Sequence, residues 1–233
     1  MRFVIIDESS AAGNDSAFGG PIAPEVGQAI AQALTVQLNR DVATSWGGAY
    51  AVRWGLSSSD VQPGEIACAI VDSLPSAPGA VAYHDVMGAE VPVVFLARTQ
   101  CNSLFVGSDS VSSALSHELC ETAGDPFVNA WRDDGQGYEY CQELCDAVQE
   151  SGYEIDGITV SNFVFPAFFA PGAAGPYDYL GVIGVPLQTA SGGYQLRRSS
   201  GGGETQVYGT IAPHRMARKG HFSSRTYRRG YRP

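Results

Sequence analysis

Val26, Ile30, Leu34, Leu38 and Val42 recur every fourth residue through residues 23–46, separated by small or polar residues. Positions four apart return to nearly the same side of a helix, so the pattern predicts an amphipathic helix packed on a sheet. Pro24 stands where a helix can begin. Before it, "RFVII" (residues 2–6) is uniformly apolar and reads as a buried strand. After it come shorter runs with β character. "AYAVRWGL" alternates, "EIACAIVDSL" is more continuously apolar, and "PGAVAYHDVMG" with "VPVVFLART" predicts a hairpin around Gly88. "SVSSALSHELCETAG" (residues 110–124) predicts a second helix, with a serine able to cap its start and Gly124 able to end it. Strand, helix, several strands, helix is the order of an α+β fold with a mixed sheet and packed helices.

Beyond Asp125 the pattern loosens. Residues 129–140 are polar and loop-like, and "CQELCDAVQES" reads as a short helix. "YEIDGITVSNFVFPAFF" reads as a hairpin turning at Asp156-Gly157. Residues 177–196 read as a further strand pair or extended segment. From Arg197 onward glycine, serine and arginine dominate, which predicts a flexible joint followed by a basic arm.

Charge sharpens that boundary. Residues 1–196 carry five Lys and Arg against 23 Asp and Glu, whereas residues 197–233 carry nine against one, Glu204. An acidic globular domain, 1–196, thus precedes a basic arm, 197–233. Tyr208, Phe222, Tyr227 and Tyr231 are interleaved with the arginines. Aromatic anchors of this kind suit docking to a protein surface, which places a protein partner ahead of nucleic acid. The five cysteines are odd in number and irregularly spaced, so reduced thiols are expected; Cys141 and Cys145 are also close enough to be weighed as a thiolate pair. No apolar run approaches the roughly 20 residues of a membrane span. The N-terminal apolar stretch is too short for a signal-peptide core. The expectation is a protein with no membrane partner and no signal peptide.

The chemistry concentrates in "SHELCETAGDP", residues 116–126. His117 and Glu121 are four apart and share a helix face, so both can grip one ion. Glu118 lies about 100° around the helix, where it can address a metal-bound water instead of the metal. A divalent metal acidifies such a water, and a nearby carboxylate takes the proton. Further ligand candidates are Asp125, directly after the helix, then Glu143 and Asp146, and also His84 and Asp85 in "AYHD". One imidazole with several carboxylates is a harder donor set than that of a zinc peptidase, so manganese, calcium or magnesium stand beside zinc. In the alternative reading, Glu118 and Glu121 are solvated and Asp125 is a capping or turn residue.

Together, Tyr83-His84-Asp85, Ser116-His117-Glu118-x-x-Glu121, Asp125-Pro126, Asn129-Ala130-Trp131, Glu143 through Asp146-Ala147-Val148, and Val160 through Phe169 resemble a zincin-like group of phage and prophage proteins. The resemblance covers roughly residues 80–230. It implies a helix on a mixed sheet, a second helix bearing the ligands, and an edge strand able to pair with an extended peptide. Glu121 departs from the zincin pattern, which has histidine there. Zinc is the first expectation for the metal at His117, Glu121, Asp125, Glu143 and Asp146. The resemblance implies a phage virion-associated structural protein, located in the virion or the host cytoplasm and tethered to other assembly proteins through residues 197–233. The alternative it implies is a metal-dependent peptidase with a peptide substrate and Glu118 as general base.

Overall fold

The computed structural model describes residues 1–10, 20–88, 90–199 and 201–210. The first strand, β1, spans Arg2–Asp7. Helix α1, Pro24–Val36, continues through a π-turn at Gln37–Val42 into α2, Ala43–Trp46. A strict four-residue repeat drifts by about 40° per step on an α-helix of 3.6 residues per turn. The wider π-turn absorbs that drift, and Ile30, Leu34, Leu38 and Val42 are all fully buried. Strands β2 (Ala51–Trp54), β3 (Ile66–Val71), β4 (Ala82–Met87) and β5 (Val91–Ala97) follow. Gly27 of α1 lies directly against the Trp54 ring, where any Cβ would overlap it.

These strands form one five-stranded sheet in the order β2-β1-β3-β5-β4. The β1–β2, β1–β3 and β3–β5 pairs are parallel, and β4 runs antiparallel on the edge. Four consecutive buried residues, Phe3 to Ile6, mark β1 as a strand covered on both faces. The β4–β5 hairpin turns at Gly88 as the sequence predicts, with Gly88 and Glu90 both at positive φ. Its register sets His84 opposite Val94.

Helix α3, Val111–Gly124, is capped by Ser110, whose hydroxyl accepts the Ser113 N–H at 3.1 Å. Every residue from Val111 to Thr122 is buried. The helix is enclosed on all sides, by β4 and β5, by α1 and by later strands. The later strands are β6 (Trp131–Asp133), β7 (Tyr138–Cys141), β8 (Gly152–Ile155), β9 (Ile158–Ser161), β10 (Tyr194–Ser199) and β11 (Glu204–Tyr208), and of these β9 is the one packed most closely on α3. β8 and β9 form the hairpin expected at Asp156-Gly157. The order β11-β10-β7-β6 makes a small antiparallel sheet. The architecture is α+β, with several sheets and one long buried helix.

Three local expectations give way to tertiary structure. Residues 141–151 form no α-helix; the chain leaves β7 and reaches only a 3-10 turn at Asp146–Val148. Cys141 to Val148 are all buried, so the segment lacks the polar face a surface helix needs. Its backbone is also drawn outward, with the Val164 N–H donating to the Leu144 carbonyl at 2.8 Å. Of the stretch read as a strand pair or extended segment, residues 177–193 form a folded loop and residues from Tyr194 enter β10. Asp178 organises it, since its carboxylate accepts the N–H groups of Leu180, Val182 and Ile183 and the side-chain amide of Asn162. The joint expected from Arg197 is a β-hairpin. Arg197 and Arg198 pair with β7, stack on Tyr138 and Trp131, and Arg198 reaches Glu139 at 2.6 Å. The globular part therefore continues past residue 196 to at least Tyr208. The rest of the expected arm, with its docking and tethering roles, falls on residues 211–233, outside the described residues. Among the described residues no helix is long and apolar enough to cross a membrane.

Candidate metal centre

Helix α3 presents His117 and Glu121 one turn apart, with the His117 Nε2 3.1 Å from the Glu121 Oε1. Because α3 is enclosed, these groups are not solvated. His117 is the most exposed of six polar residues in the cluster at 8%, and His84 the least at 1%. The others are Glu118, Glu121, Glu143 and Asp146.

His84 arrives from the edge strand β4. Neighbouring strand residues face opposite sides, so His84 turns inward while Asp85 does not; the Asp85 carboxylate accepts its neighbour's N–H, that of Val86. The His84 Nδ1 is 3.2 Å from the Glu118 Oε2 and 3.6 Å from the Glu121 Oε2. Its Nε2 is 3.7 Å from the Glu143 Oε2. On the other side, the Asp146 Oδ1 is 3.2 Å from the His117 Nε2. Glu143 and Asp146 are delivered by the buried segment after β7, where the Cys141 thiol donates to the Glu143 Oε1 at 3.5 Å. Gly193, entering β10, presses on this segment: a Cβ there would overlap the Ala147 carbonyl.

Two donor sets result. His84, Glu121 and Glu143 form one, and His117, Glu121 and Cys145 the other; within each set the donor atoms lie within 4.8 Å of one another. Imidazole, carboxylate and thiol are all zinc ligands, and the carboxylates also suit manganese. All five cysteines are buried thiols outside any disulfide. The Cys141 thiol bonds Glu143, and Cys145 joins the His117 set; among the described residues neither donor set contains both cysteines.

Of the residues expected at the site, His117, Glu118, Glu121, Glu143 and Asp146 are brought together. Asp125 belongs to neither donor set. Its two carboxylate oxygens accept the N–H groups of Asn129 and Ala130 at 3.1 and 3.0 Å, closing the loop after α3. This matches the turn role left open in the sequence.

The electrostatics follow from burial of opposite charges. Burial alone opposes protonation of His84, but Glu143, Glu118 and Glu121 outweigh it and raise its pKa to about 10. Burial likewise opposes ionisation of Glu121, yet His117 and His84 hold its carboxyl well below the usual range. Burial, with the neighbouring Cys120, pushes the Cys145 thiol up.

A network with no sequence signal supports the helix. Ser116, next to His117, donates to the Gln37 Oε1 at 2.7 Å and accepts the Ser161 N–H at 2.8 Å. Gln37 in turn donates to the Ser161 carbonyl at 2.8 Å. The triangle pins α3 to the π-turn and to β9, but its members are 45 to 124 residues apart in pairs. Compared with family models, with curated proteins and with solved structures, the chain matches none.

Proposed function

We propose that the protein is a divalent-metal-dependent hydrolase of peptides, with Glu118 as its general base. The observation that carries this reading is the place of Glu118. It stands outside both donor sets, yet it is buried beside them, 3.2 Å from His84. A carboxylate so placed is free to accept and return a proton instead of being consumed as a ligand. His84, Glu121 and Glu143, or His117, Glu121 and Cys145, would hold the metal. The metal supplies Lewis acidity and a more acidic water; zinc accepts every donor present, and manganese the carboxylate-rich set.

The fold supports a peptide as substrate. β4 is one of the two edge strands of the large sheet, and it carries His84 into the cluster. An extended peptide adding to β4 would run beside the site, held by main-chain hydrogen bonds. A helix on a mixed sheet, followed by a second helix bearing the donors, is also the order a zincin-like domain requires, and we read the domain as one. The test is direct. The full chain, stripped of metal and then given Zn(II) or Mn(II), is incubated with a peptide library and the products are read by mass spectrometry. Metal-dependent cleavage is expected. Absence of cleavage with either ion restored overturns the peptidase reading.

A further inference from the structure

We propose that the cluster holds two divalent ions bridged by Glu121. The inference rests on the metal-centre reading above and adds the number of ions and the role of the shared carboxylate. The two donor sets have a single residue in common, Glu121, and divide the others cleanly: His84 and Glu143 on one side, His117 and Cys145 on the other. Glu121 presents a different oxygen to each side. Oε1 faces His117 at 3.1 Å, and Oε2 faces His84 at 3.6 Å. A carboxylate with one oxygen in each of two donor sets has the form of a bridge, and bridged ions in two-metal sites lie about 3.5–4 Å apart. Asp146, 3.2 Å from His117, adds a further oxygen on the His117 side.

Charge favours two ions over one. Ligation requires neutral imidazoles and ionised carboxylates. The ligating Glu121, Glu143 and Asp146 then place three negative charges among residues that are each at most 8% exposed. Burying unpaired charge is costly. A Cys145 thiolate on the His117 side makes the charges four; one divalent ion cancels half of that charge and two cancel all of it. The two sets also differ in kind. The His84 set, with two carboxylates and one imidazole, is the harder; the His117 set, with a thiol, is the softer.

The experiment counts ions and tests whether they touch. The full chain is stripped, reloaded with Mn(II) or Zn(II), passed through a desalting column and analysed for metal by plasma mass spectrometry. The Mn(II) form is also examined by electron paramagnetic resonance. Two ions per chain are expected, with the extra lines of an exchange-coupled Mn(II) pair. His84→Asn and His117→Asn should each lose one ion and the coupling, and Glu121→Gln should lose the coupling. Circular dichroism checks that each variant folds, and the wild-type count needs no variant. One ion per chain, or two ions without coupling, overturns the bridged pair and leaves a metal centre standing. No retained metal overturns both.

Discussion

Glu121 lies between two histidines from different parts of the fold, His117 one helical turn before it and His84 on the edge strand β4. The relationship joins α3 to the sheet through a buried, ionisable contact, so ions held there would act as cross-links of the folded state. A ligand that binds only the folded chain stabilises it by about 2.7 kcal/mol at a hundred times its dissociation constant. Chelation should therefore lower the thermal midpoint of the metal-loaded protein by several degrees, and returning Zn(II) or Mn(II) should restore it. In Glu121→Gln, which keeps two donors of each set but loses the shared carboxylate, the difference between chelated and metal-loaded melts should shrink. Superimposable wild-type melts with and without chelator would count against a metal in this cluster.

Glu118→Gln keeps the size of the side chain beside His84 but removes its capacity to take a proton. Turnover of a cleaved peptide should fall by about 10²–10⁴-fold, the usual contribution of a general base. Metal content should stay at the wild-type level, because Glu118 stands outside both donor sets. Wild-type turnover in the variant would remove Glu118 from the mechanism.

Ser116→Ala breaks the triangle that holds α3 to the π-turn and to β9. It strips the Gln37 side-chain Oε1 of its 2.7 Å donor and the Ser161 N–H of its 2.8 Å acceptor, both buried. Leaving buried polar groups unsatisfied costs about 1–3 kcal/mol. The midpoint of urea unfolding should fall accordingly, with an unchanged slope. A midpoint equal to that of wild type would show the triangle to be energetically idle.

Arg53 and Glu65 supply a pH signature away from the site. The Arg53 guanidinium donates to both Glu65 oxygens, at 2.8 and 2.6 Å. These bonds hold the Glu65 carboxyl down to about 2, from an ordinary 4.5. A carboxyl whose pKa is lowered on folding stabilises the protein above its unfolded pKa and loses that contribution as pH falls through the folded one. Glu65→Gln should thus be less stable than wild type at pH 7, and the gap should close between about pH 4.5 and pH 2. The gap is expected to stay below about 1 kcal/mol, because the Arg53 side chain is 38% exposed. Chemical denaturation of both proteins across that range checks it. A gap that persists at pH 2 would assign the effect to something other than this ion pair.

Much of the fold is local and therefore legible. The four-residue apolar repeat, the Asp156-Gly157 turn and the serine ahead of α3 each act within a few residues, and the structure keeps all three. The π-turn is the tertiary answer to that repeat, because only a widened turn keeps Leu38 and Val42 on the buried side. Composition misleads at Arg197 and Arg198: arginines beside glycines read as a free arm, but Glu139, Tyr138 and Trp131 of the neighbouring strands give them partners.

The site divides along the same line. The chain by itself determines that His117 and Glu121 share a helix face, since 3.6 residues per turn puts them there. It also places Asp125 close behind them, but only the folded loop commits both its oxygens to the N–H groups of Asn129 and Ala130. Tertiary structure alone brings His84 and Glu143 to the cluster, by pairing β4 with β5 and by leading the chain after β7 back under α3. It also buries Glu118 and Glu121, whose solvation the sequence leaves open. The physical reason is one of range: backbone periodicity repeats over a few residues, whereas burial of these charges depends on layers that meet only once the sheet has formed.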